Sequence, residues 1–103
     1  MKYNKLVRDK IPELMADNGQ KATFRVLDMD EYEQALIKKL DEEVAEFKES
    51  KNVEELADIY EVIISLAAFY GHTVADFSAL YRSKRKSHGS FSNRIFLLED
   101  ESN

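Results

Sequence analysis

From Tyr32 onward the apolar residues Tyr32, Leu36, Leu40, Val44 and Phe47 return every three or four positions, which is the spacing of one helix face. Asp28 or Asp30 can cap this helix, since each has a glutamate three residues on, Glu31 or Glu33, and the pattern carries it to about Ser50. Asn52 then reads as the N-cap of a second helix, with Glu55 as its box partner and Gly71 as its stop after Tyr70. Thr73 repeats the device with Asp76 and opens a third main helix through roughly Lys86, bearing Val74, Phe77, Leu80 and Tyr81 and closed by Gly89. Pro12 fits the first turn of a short helix over about 11–17, where a proline forfeits no hydrogen bond, and Gly19 ends it. The alternation over Ala22–Leu27 predicts a short extended segment or strand. Phe91–Leu98 is apolar enough to be extended beside it, and the polar end 99–103 frays. No repeat, low-complexity tract or linker divides residues 1–103, so the expectation is one all-α domain, a helix bundle.

The second helix changes that picture. Val53, Leu56, Ile59, Tyr60, Ile63 and Leu66, with their apolar neighbours, wrap most of its circumference. A helix apolar all round lies buried, and helices of this length leave much of it uncovered in one chain. A homo-oligomer follows, a homodimer or homotetramer. The hydrophobic fraction of 44% is ordinary for a globular chain. No stretch approaches the roughly 20 apolar residues of a membrane span, and no apolar core follows Met1–Lys5 to mark the chain for secretion. With no cysteine there is neither a disulfide frame nor a thiolate metal site, which fits the cytoplasm.

Charge is segregated rather than merely negative. The net charge is -5, and carboxylates crowd the stretch from Asp30 to Glu61. Basic residues gather at the two ends, as Lys2, Lys5, Arg8 and Lys10 and as Arg82, Lys84, Arg85, Lys86 and Arg94. On the second helix Glu54, Asp58, Glu61 and Ser65 fall on one stripe, with Glu55 at its edge and no lysine or arginine from Asn52 to Tyr70. Like charges three or four apart repel by a few tenths of a kcal/mol per pair, so this stripe calls for a cation. If the first two long helices form an antiparallel hairpin about Ser50–Asn52, position 43 mirrors 58 and position 46 mirrors 55. Glu43, Glu46, Glu55 and Asp58 then converge as candidate metal ligands, with Glu61 the alternative to Glu55. Glu42 sits beside them as a candidate base for water. Oxygen donors of this kind favour magnesium, with manganese as a substitute, over zinc.

Glu42-Glu43-x-x-Glu46 followed by Glu55-x-x-Asp58 resembles the paired acidic elements of the all-α nucleotide pyrophosphatases. That superfamily includes MazG-like proteins, dimeric dUTPases and phosphoribosyl-ATP pyrophosphohydrolase. Along nearly the whole chain the likeness is closest to the small phosphoribosyl-ATP-pyrophosphohydrolase-like group of house-cleaning pyrophosphatases. Tyr3–Pro12 resembles that group's opening signature, and Glu55–Val62 its second acidic helix. Lys84, Gly89, Phe91 and Arg94 resemble its closing element, with His88 where an arginine is usual.

The resemblance implies a MazG-like bundle that holds magnesium and cleaves a nucleoside triphosphate, noncanonical ones included, or a phosphoribosyl-ATP-like nucleotide, to the monophosphate and pyrophosphate. Glu42 and Glu43 would then be catalytic and Glu43, Glu46, Glu55 and Asp58 would hold metal. An acidic pocket repels a triphosphate unless cations offset it, which gives Lys5, Arg8, Lys10, Lys84, Arg85 and Arg94 a task in binding substrate, with Asn4 a hydrogen-bonding candidate. The rival is a non-catalytic helical module that binds a nucleotide or a protein. Nucleic acid is disfavoured, since Arg82–Lys86 is one short basic run without interleaved aromatics in an acidic chain.

Overall fold

The computed structural model describes residues 3–102. They form α1 (Ile11–Asp17), α2 (Met29–Ser50), α3 (Val53–Phe69) and α4 (Val74–His88), and no strand occurs among them. Pro12 stands in the first turn of α1, as its fixed φ favours. Asp28 caps α2 with a complete capping box: its Oδ1 accepts from Glu31 N at 2.9 Å, and Glu31 Oε1 accepts from Asp28 N at 3.2 Å. Arg25 clamps the same glutamate through two nitrogens at 3.1 and 2.8 Å. Asp30 is simply a first-turn acid, well placed against the helix dipole.

Two sequence expectations are corrected here. Asn52 caps α3 by accepting from Glu54 N at 2.9 Å rather than by a box with Glu55, which leaves the Glu55 side chain free for other neighbours. Residues 22–27 and 91–98 do not pair as strands. Val26, Phe91 and Ile95 are almost fully exposed, and two isolated strands without a third or a covering helix are marginal in water.

α2 and α3 are an antiparallel hairpin, turned at Lys51, whose left-handed backbone (φ 56) lets its N–H bond Phe47 O at 2.8 Å. At the far end the Tyr32 and Phe69 rings meet edge to face at 6.0 Å, and Tyr70 donates its hydroxyl to Glu33 at 2.6 Å. This is the register that mirrors 43 on 58. Leu36 and Val62 fill the seam. α4 leaves α3 after Gly71 at an angle of 109°, with Thr73 Oγ1 accepting from Asp76 N at its start.

The chain is extended, 60 × 32 × 25 Å with a radius of gyration of 18.1 Å, against about 13 Å for a typical 100-residue domain. No single helix among the described residues is long and apolar enough to cross a membrane.

Candidate metal centre

The hairpin register brings Glu43 of α2 against Glu55 and Asp58 of α3. One carboxylate oxygen from each lies within 4.8 Å of the other two. Glu55 and Asp58 are three residues apart and so share a face of α3, while Glu43 looks across from the facing helix. Glu46, one turn along α2 from Glu43, stands outside that triad but beside Glu55. Burial, then the nearby carboxylates of Glu46, Asp58 and Glu43, push Glu55 above the ordinary carboxylate range. The crowding of like charge disfavours the ionised form of the set, and a cation among these carboxylates would offset it.

Glu43 carries the sharpest sign of this. The residue is only 7% exposed. Its Oε1 lies 3.3 Å from Lys39 Nζ, but Oε2 is buried with no hydrogen-bond partner. Buried polar atoms in folded proteins are nearly always satisfied, and an unpaired carboxylate oxygen is among the costlier exceptions. A divalent ion shared with Glu55 and Asp58 fits both the orphan and the all-oxygen donor set, which suits magnesium or manganese.

Arg8, from the segment before α1, donates to Asp58 Oδ1 at 2.6 Å. It stands where a cation is wanted, yet both side chains are about half exposed, and exposed ion pairs contribute about 0–1 kcal/mol. A metal at Asp58 can displace it. Leu6–Lys10, with Lys39, Glu43, Asp58, Glu61 and Ser65, lines a cleft of about 440 Å³. The cleft is closed on one side by the N-terminal segment, and Arg8 and Lys10 bring positive charge to its acidic wall.

Of the remaining sequence candidates, Glu61 lines the cleft, where Ser65 Oγ donates to it at 3.4 Å, but stands apart from the triad. Glu42 is half-buried and outside the triad as well. Lys5 lies over the Tyr3 ring, 5.6 Å from its centroid, and Asn4 takes a left-handed turn conformation at φ 46. Both flank the cleft-lining stretch without joining it. Lys84, Arg85 and Arg94 do not line the cleft of their own chain. Arg85 instead donates to Tyr81 Oη at 2.8 Å. Lys39 is the cleft residue that the sequence reading passed over. Its spacing of four from Glu43 was the available signal.

Comparison with known proteins adds little to this geometry. No family model matches the chain, and no solved structure matches it. A protein of Mycolicibacterium smegmatis described as uncharacterized is 56% identical over 43 residues, 42% of this chain. The match covers 44% of that relative's length.

Proposed function

We propose that this chain is a magnesium-dependent nucleotide pyrophosphohydrolase that cleaves a nucleoside triphosphate, or a related phosphoribosyl nucleotide, to the monophosphate and pyrophosphate. The observation that carries the reading is the Glu43, Glu55 and Asp58 triad with its orphaned Glu43 oxygen, two of whose members, Glu43 and Asp58, line a cleft that also holds Arg8 and Lys10. The resemblance of the acidic elements and of the opening signature to the all-α, MazG-like pyrophosphatases supports the choice of reaction.

Glu43, Glu55 and Asp58 hold the ion, and Glu46 supports it by adding negative charge beside Glu55. When bound, magnesium supplies Lewis acidity to phosphate oxygens and lowers the pKa of coordinated water. The chain's own groups do the rest. Arg8, released from Asp58, becomes available to pair with phosphate oxygens, and Lys10 adds a second positive charge from the same segment. Lys39 fixes the Glu43 carboxylate. Glu42 is the remaining candidate to accept a proton from attacking water once nucleotide is bound. The surroundings proposed for this reaction are cytoplasmic, and the working form is a homo-oligomer.

The test is pyrophosphate release across a nucleotide panel, with and without magnesium. The panel includes oxidised, deaminated and deoxyuridine triphosphates and phosphoribosyl-ATP. Asp58→Asn is expected to lower turnover at least 100-fold on any substrate found, in the range of losing a main electrostatic contributor, and Glu46→Gln to lower it by less. Nucleotide binding with no turnover on any member would assign the chain to the non-catalytic alternative.

A further inference from the structure

The most exposed apolar residues of the described chain are not on a helix. Phe91, Ile95, Phe96, Leu97 and Leu98 are between 78% and 98% exposed, in a tail that follows α4 and continues into Glu99, Asp100 and Glu101. A run of large apolar side chains left in water in this way has an undisclosed cover. The chain also carries a matching receptor. Tyr60 and Ile63 of α3 and Phe77 and Tyr81 of α4 line an apolar groove of about 450 Å³ in the angle between the two helices. Beyond it, α4 turns basic, through Arg82, Lys84, Arg85 and Lys86. Arg85 is tied to Tyr81 Oη at 2.8 Å, so its guanidinium is held at the groove's end, and Arg82 is tied to Ser78 Oγ at 2.6 Å on the same turns of α4.

We infer that the tail 95–101 of one copy of this chain docks in the α3–α4 groove of a second copy, Ile95–Leu98 on the apolar floor and Glu99–Glu101 on the basic turns of α4. Both partners of the contact read apolar, then charged, with opposite sign, and this sets the direction: the tail must run parallel to α4. A tail doubling straight back on its own helix runs antiparallel and carries its acidic end away from Arg82–Lys86. To run parallel in its own chain it would first have to return from His88 to Phe77, about 16 Å at the helical rise. Of the six residues available, Phe91–Arg94 are already closed into a turn by Arg94 N donating to Phe91 O at 3.1 Å. The two left over, Gly89 and Ser90, span at most about 7 Å. Between two copies with antiparallel α4 helices the same turn becomes useful. It is the single reversal needed for a tail leaving the end of one α4 to enter at the start of the other. The exchange is twofold and self-complementary, the commonest form of homo-oligomer, and it stands whatever reaction the carboxylates serve.

The chain has no cysteine, so added thiols report cleanly. Leu97→Cys and Tyr81→Cys, both at exposed positions, are made in separate full-length chains, checked for helical content, mixed and oxidised. The expected product is a disulfide-linked dimer containing one of each chain, formed at least tenfold faster than either variant links to itself. A chain carrying both changes should link between copies. Closure within that single chain would mean the tail covers its own helix, and no preference for the mixed pair would mean it docks elsewhere or on another protein. Either result overturns the inference. As a second measure, Glu99→Lys with Asp100→Lys should weaken self-association at least tenfold in sedimentation, and Arg82→Glu with Arg85→Glu in the same chain should restore it. Unchanged association of the first pair, or no restoration by the second, overturns it as well.

Discussion

Glu43 Oε1 lies 3.3 Å from Lys39 Nζ, while Oε2 is buried without a partner, and the two carboxylates gathered with Glu43, those of Glu55 and Asp58, add like charge. An unsatisfied buried group of this kind costs about 1–3 kcal/mol, more when charged, so in the metal-free protein the residue acts against stability. Magnesium or manganese should therefore raise the melting temperature. A ligand that binds only the native state adds about 2.7 kcal/mol at about 100 times its Kd. Glu43→Gln with Glu46→Gln should abolish that rise and leave the metal-free protein folded, as firm as the parent or firmer. Calorimetry across a metal series decides it, and a double variant that fails to fold would give these residues a structural role. The triad was legible in the sequence because Glu55 and Asp58 share a helix face by spacing alone and the hairpin mirror supplies Glu43. The Arg8–Asp58 pair was not legible, because a contact across fifty residues depends on how the segment before α1 falls over the helices. Lys39 went unread for the opposite reason, since a lysine four residues from a glutamate is what any solvated helix face shows.

The helix starts were the most readable elements, since each depends on a few neighbouring residues: Asp28 with Glu31, Thr73 with Asp76, and Asn52 as the cap of α3, although its partner is Glu54 N and not a box with Glu55. At α2 the capping box and the Arg25 fork act on the same carboxylate. The side-chain hydrogen bond from Arg25, and then the backbone hydrogen bond from Asp28, hold Glu31 down to about 2. A carboxyl whose pKa is depressed on folding stabilises the native state above its unfolded value and loses that contribution as protons bind. The start of α2 should therefore loosen as pH falls from the ordinary carboxylate value of about 4.5 towards 2. Arg25→Ala should move that acid transition to higher pH, and Asp28→Ala should cost about 1 kcal/mol at neutral pH, the usual loss of an N-cap. Urea titrations followed by circular dichroism at several pH values measure both. A pH dependence unchanged by Arg25→Ala would show that the fork contributes nothing in solution. Only the strand alternative for residues 22–27 and 91–98 fails, and at this same scale. Alternation over 22–27 describes a surface that a strand could use, but a strand exists only where something pairs with it, and that is not written in six residues.

At the scale of the whole molecule, the apolar character of α3 is the feature that one chain leaves unresolved. Val62 alone on that helix is buried, whereas Val53, Leu56 and Tyr60 stand open to solvent. The accessible surface is 9559 Å², against about 6,000 Å² expected of a folded monomer of 12.0 kDa. The excess is larger than the total surface a standard stable interface buries, about 1,200–2,000 Å², so a single twofold contact does not exhaust it. That leaves room for both a helix interface along α3 and an exchanged tail. Ile63 is the residue on which to test the assembly, because it is on α3, lines the groove and does not line the acidic cleft. Ile63→Asp puts an unpaired carboxylate into an apolar contact, at a cost of several kcal/mol unless the contact opens. It should shift the chain from oligomer to monomer at micromolar concentration, and reduce any pyrophosphate release with it, while metal binding by Glu43, Glu55 and Asp58 persists because their hairpin register is set within one chain. Sedimentation, activity and metal titration on the same sample separate these effects. If the unsubstituted protein sediments as a compact, active monomer, the apolar surface of α3 needs another explanation and the assembly reading is lost.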